Sequence, residues 1–146
     1  MSMNHQFSIS LPEGWRDMTY HTFEGPHDSG VQHNLVLAIL EGVDAKVNLS
    51  KFAKEQIQEI AALLPGFEMI SEKELRLQSS LPMYEVVYRY APSDEQTLFQ
   101  KQYFVIAEDK AYIFTSTFSK KTLQTVANEV DRIVATFRTA TPNVRP

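Results

Sequence analysis

Residues 98–106 read LFQKQYFVI and alternate as a β-strand does. Leu98, Phe104 and Ile106 share one face with Gln100 and Gln102, while Phe99, Tyr103 and Val105 share the other with Lys101. A strand apolar on both sides belongs inside a sheet that is covered on both faces. Amides in the middle of such a face need partners, because burying an unbonded polar group costs free energy. Two readings are open for them: bonds to nearby loop backbone, or contacts to a guest.

The same double-sided pattern runs outward along the chain. Residues 34–41 (NLVLAILE) set Leu35, Leu37 and Ile39 against Val36, Ala38 and Leu40. Residues 82–91 set Tyr84, Val86, Tyr88 and Tyr90 against Met83 and Val87, and 111–118 set Tyr112, Phe114 and Phe118 against Ala111 and Ile113. Short strands are also expected at 6–11, at 18–23 and over 67–78, with a polar loop at 24–33. Between 49 and 64 the period becomes helical: Leu49, Ala53, Ile57, Ile60 and Leu64 fall on one stripe, Asn48 is placed to cap it, and Pro65-Gly66 stops it. A last helix is expected from a Ser119 cap to about 137, on the stripe Leu123, Val126, Val130, Ile133 and Phe137. The ending TATPNVRP, with 139–146 as a flexible tail, is expected to fray. The order predicts one α+β domain over 1–146: a mainly antiparallel sheet of about six to seven strands with two main helices. The strands carry more apolar face than two helices cover. Loops, a second copy or a client protein are the candidates for the rest.

Composition narrows the function. The chain has 146 residues, 43% hydrophobic and 22% charged, with a net charge of -4 and no basic block. Nucleic acid, which selects a basic face, is disfavoured. With no cysteine, thiolate chemistry and disulfides are excluded. MSMNHQFSISLPEGW has no basic segment followed by an apolar core, and the longest apolar run, VLAIL at 36–40, is far short of the ~20 residues of a membrane helix. A soluble cytoplasmic protein without membrane insertion is expected. His5, His21, His27 and His33 lack metal-ligand spacing, and neither a nucleophile elbow nor a phosphate loop occurs. No catalytic residue, metal or cofactor is therefore expected.

Several stretches together carry a resemblance. FSISLPEGWRDMTYHTF, LLPGF closing the first helix, QKQYFV and the final strand and helix resemble the DcrB-like family, whose members have a PsbP-like α+β fold. Within it the chain is most similar to the Eag-type chaperones of bacterial type VI secretion. Such chaperones are homodimers that shield the N-terminal transmembrane helices of effector proteins until these are loaded on the secretion spike, and they are not enzymes. The resemblance places client contacts at Gln56 on the first helix and Gln102 on a central strand. It adds Ile60 and Leu64 one and two turns beyond Gln56, Leu35 and Ile39 on the preceding strand, and Tyr20. A general binding module with a soluble partner is the alternative.

Overall fold

The computed structural model describes residues 8–139. Six strands form one antiparallel sheet: β1 (Tyr20–Asp28), β2 (Val31–Glu41), β3 (Glu68–Arg76), β4 (Pro82–Ser93), β5 (Gln96–Ala107) and β6 (Lys110–Phe118). Their spatial order is β1-β2-β6-β5-β4-β3. Helix α1 (Leu49–Ala61) carries the chain from β2 to the far edge, and α2 (Val126–Ala135) follows β6. This is the α+β architecture expected from the sequence.

Turn chemistry accounts for the hairpins. Ser29 and Gly30 both have positive φ between β1 and β2, as do Glu108 and Asp109 between β5 and β6. A two-residue loop with both φ values positive matches the twist of the strands it joins. Residues 24–33, expected to be a loop, are therefore the tip of a hairpin. Pro26 and a bulge between Glu24 and His27 disguise it by breaking the alternation. The expected strand at 6–11 also needs correction: residues 8–11 are described without strand structure, and residues 6 and 7 lie outside the described residues. Residues 140–146 of the expected tail lie outside them as well. The last helix is shorter than its stripe. Residues Thr122–Gln124 form a 3-10 turn, and Thr125 (φ -126, ψ -75) breaks the path before α2 begins. Ser119 Oγ accepts from the Thr122 backbone N–H at 3.1 Å, so the Ser119 cap serves that turn.

One helix lies on each face of the sheet. On one face α2 covers Phe99, Tyr103 and Val105 of β5, Tyr112, Phe114 and Phe118 of β6, and Leu35 of β2. On the other, α1 buries Ala53 and Ile57 against Tyr84, Val86, Tyr88, Phe104 and Ile113. Asn48 Oδ1 accepts from Lys51 N at 2.9 Å and starts α1 as expected, a cap that contributes about 1 kcal/mol. The α2 face also holds a buried ionic cluster. Lys101 Nζ lies 2.9 and 3.1 Å from the Asp131 oxygens and 3.4 Å from Glu85 Oε2, and Tyr103 OH donates to Asp131 at 2.6 Å. His33 ties the hairpin to the turn before α2. Its Nδ1–H donates to Pro26 O at 3.0 Å, and its Nε2 accepts from Thr122 Oγ1 at 2.9 Å.

Candidate functional site

Because α1 packs on β4 and β5, it covers only part of its face. Beyond it, the same face of the sheet continues over β6, β2 and β1. Cross-strand pairing puts Thr22, Val36, Thr115 and Gln102 in one row, and Tyr20, Ala38, Ile113 and Phe104 in the next. Directly paired residues point to the same face. Val36, Ala38 and Thr115 are half-buried, and Tyr20 is 57% exposed. Gln56 projects from the flank of α1 opposite Lys54 and Gln58. Those two line a separate hollow of about 240 Å³ with Met69 and Glu72 toward β3. Gln56, and Ile60 one turn on, therefore lie on the α1 flank toward β6 and β2, and with Tyr20 on β1 they bound the candidate trough of this face.

The two amides of the central strand differ in their partners. Gln100 is fully engaged: its Oε1 accepts from Tyr88 OH and its Nε2 donates to Thr117 Oγ1 at 2.9 Å. It ties β4, β5 and β6 together. Gln102 is 7% exposed, and its Nε2 donates to Thr115 Oγ1 at 2.8 Å. Its Oε1 is buried and meets no donor among the described residues. A hydroxyl serves either end of an amide, so one end of Gln102 is left over whichever way the group is turned. A buried amide end without a partner costs about 1–3 kcal/mol.

The remaining expected contacts divide by face. Ile60 and Leu64 pack at the margin of the core beneath α1, on the Gln102 side. Leu35 and Ile39 do not join them. Leu35 is 4% exposed in the core beneath α2, and Ile39 packs against that same core. The structure separates both from the trough, and their neighbours Val36 and Ala38 supply its floor instead. Thr22 and Thr115 also belong to the trough; their register with Gln102 in the sheet places them there, and no local sequence pattern marks them.

Among the described residues no group of three or more His, Asp or Glu side chains converges as a metal site. The buried tyrosines stay protonated. Tyr84 is pushed up to about 12, first by burial and then by its hydrogen bond to Glu72; burial raises Tyr88 and Tyr103 further. An acid whose folded pKa is raised contributes stability fully below its unfolded pKa and loses it as pH climbs through the folded one. Tm should therefore hold below pH 10 and fall between 10 and about 12. Thermal denaturation by circular dichroism across that range checks this, with a shallower fall expected for Tyr84→Phe. A flat Tm up to about 12 would contradict the burial of all three phenols.

A single antiparallel sheet with one helix on each face defines the PsbP-like fold. The solved structure of the cyanobacterial PsbP protein CyanoP from Synechocystis sp. PCC 6803 matches at a TM-score of 0.53 and 15% identity, over 88% of this chain and 84% of that one. PA94 of Pseudomonas aeruginosa, a protein of unknown function, matches at 0.74 and 16% identity, over 99% and 96%. LpqN of Mycobacterium tuberculosis, involved in cell envelope biogenesis, matches at 0.50 and 12%, over 79% and 77%. These likenesses concern the fold. The DcrB family model matches residues 7–136, and the chain belongs to the DcrB family. No curated protein matches the sequence significantly. No helix among the described residues is long and apolar enough to cross a membrane.

Proposed function

We propose that this protein is a non-catalytic adaptor chaperone of the Eag type. It receives an N-terminal transmembrane helix of a type VI secretion effector in the trough beside α1, shields it from water in the cytoplasm, and helps load the effector on the spike. The observation that carries this reading is the Gln102 amide, buried at the trough floor with one end unpartnered. A membrane helix satisfies its own backbone and offers apolar side chains. Such helices associate through small residues and occasional polar ones. The small, mixed floor of Val36, Ala38 and Thr115 admits close approach of a helix, Ile60 and Tyr20 offer apolar walls, and Gln102 offers a bond to a polar group of the guest. An apolar helix without that group leaves the amide unbonded, so the same residue selects among clients. The role requires no cofactor or metal, and the working form is a homodimer. The second reading, a binding module for a soluble partner, draws on the polar row Thr22, Thr115 and Gln102.

The test is purification of the tagged protein from its own host, with bound proteins identified by mass spectrometry. A co-purifying protein with apolar segments of ~20 residues near its N-terminus, lost on Ile60→Asp, is the expected result. A partner lacking such segments would favour the second reading.

A further inference from the structure

The flank of α1 turned away from the trough faces a second concavity. Lys54, Ile57, Gln58 and Ala61 recur at the three- and four-residue steps that share one side of a helix. All four line the hollow of about 240 Å³ toward β3, and Phe67, Met69 and Glu72 stand across it. Met69 and Glu72 are three residues apart, and a regular strand turns such residues to opposite faces. The bulge between Met69 and Ser71 absorbs the extra residue: Met69 pairs with Tyr88, Glu72 pairs with Val86, and both face α1. Bulges beside functional sites re-aim side chains in this way.

The hollow has an apolar body and a polar mouth. Its floor is Ile57 and Val86, 4% and 1% exposed. Phe67 makes a fixed wall, its ring centroid 5.0 Å from that of Tyr88. An apolar cavity of about 150 Å³ takes a benzene ring, so this one has room for a phenyl or branched aliphatic group. At the mouth, Lys54 on the helix side and Glu72 on the strand side are exposed. Neither has an ion-pair partner among the described residues. Glu72 Oε1 accepts from Tyr84 OH at 2.7 Å, which fixes the carboxylate in place. Glu74, paired with Tyr84, follows on the same face and makes the strand side negative. A lone anion in this cup meets Glu72, and a lone cation meets Lys54. A molecule that carries both charges on an apolar body meets a partner at each end.

We propose that this hollow binds a small apolar zwitterion of the size of a free phenylalanine or leucine. Its side chain sits on Ile57 and Val86 beside Phe67, its carboxylate lies at Lys54 with the Gln58 amide one turn on, and its ammonium lies at Glu72. The site is separate from the trough, since α1 stands between the two.

Titration of the purified protein with L-phenylalanine, followed in methyl spectra, tests this. The ring current of the ligand should shift Ile57, Ala61, Met69 and Val86 together and leave Val36 and Ala38 of the trough in place. Phenylpropionate, which lacks the ammonium, and phenylethylamine, which lacks the carboxylate, should each bind about 5-fold more weakly, the upper range for an exposed ion pair. Lys54→Met should weaken phenylalanine by a similar factor without weakening phenylethylamine. Glu72→Gln, which keeps an acceptor for Tyr84, should weaken phenylalanine without weakening phenylpropionate. Ala61→Phe, which fills the hollow from the helix side, should remove binding of all three. Absence of shifts at the hollow up to the solubility of phenylalanine, shifts centred on the trough, equal binding of the three probes, or parental affinity in both charge variants would overturn the proposal. So would a preference for N-acetylphenylalanine amide, the form that a peptide presents, which would assign the hollow to a protein partner. No client enters the titration, so its failure leaves the client reading standing.

Discussion

Gln102→Leu is expected to weaken client binding by about 10- to 100-fold while leaving Tm unchanged or slightly raised. The substitution keeps the side chain's bulk and removes its polar end. In the free protein it removes a buried oxygen that has no donor among the described residues, and it gives up the bond to Thr115, a half-buried residue of β6. One neutral hydrogen bond contributes about 0.5–1.5 kcal/mol net, and one orphaned buried group costs about 1–3 kcal/mol, so the two nearly cancel. In the complex the balance changes. The guest's polar group, desolvated against leucine, is itself orphaned, and the factor of 10 to 100 is about 1.4–2.8 kcal/mol. Gln100→Leu next along the face should do the reverse. It breaks two internal bonds, to Tyr88 and Thr117, and should lower Tm while leaving the client's partner in place. Titration of a purified client segment held in detergent, beside thermal denaturation of each variant, separates the two outcomes. Loss of Tm with unchanged affinity in Gln102→Leu would make Gln102 a structural residue and end the client role assigned to it.

Which parts of this could be read from the sequence follows from where the information sits. Helix α1 was legible because Asn48, the Ala53–Ile57 stripe and Pro65-Gly66 are local signals, and each acts within a turn of the helix. The central strands were legible from alternation. The hairpin at 24–33 was not, because its turn residues Ser29 and Gly30 sit beside a proline and a bulge. The faces of β2 were not legible either. Leu35-Val36-Leu37-Ala38-Ile39 is apolar at every position, so neither set of alternate residues announces which helix it meets. A shift of one residue exchanges the sets. Only the pairing of Val36 with Thr115, and of Thr115 with Gln102, decides that Val36 floors the trough and Leu35 lies beneath α2. The two unlike amides of the opening stretch were likewise decided by distant partners, Tyr88 on β4 and Thr115 and Thr117 on β6, which no local pattern reveals.

Lys101→Met, one residue from Gln102, is expected to cost about 3–5 kcal/mol of stability and to leave the client affinity of the folded protein unchanged. Successive strand residues face opposite ways, so Lys101 lies beneath α2, where it is 9% exposed. It is the cation that Glu85 and Asp131 share, at 3.4 and 2.9 Å. Methionine fills most of its volume but leaves both carboxylates near one another. The side chain of Asp131 is 38% exposed and can turn to water; that of Glu85 is 6% exposed and, among the described residues, keeps only Lys73 as an ion-pair partner, 3.8 Å away and itself 59% exposed. Removing one partner of a buried pair is far more costly than replacing the whole pair by apolar groups. A double variant, Lys101→Met/Glu85→Gln, should therefore recover more than half of the loss, a coupling that a simple packing defect would not show. Urea denaturation of the parent, both single variants and the double variant gives the cycle directly. If the double variant is as unstable as the sum of the singles, the cluster does not act as a unit and α2 is held by its apolar contacts alone. If the cycle closes as expected while Lys101→Met still binds client at parental strength, neighbouring residues of one strand divide the work. Lys101 then fixes the helix behind the sheet, and Gln102 meets the guest in front of it.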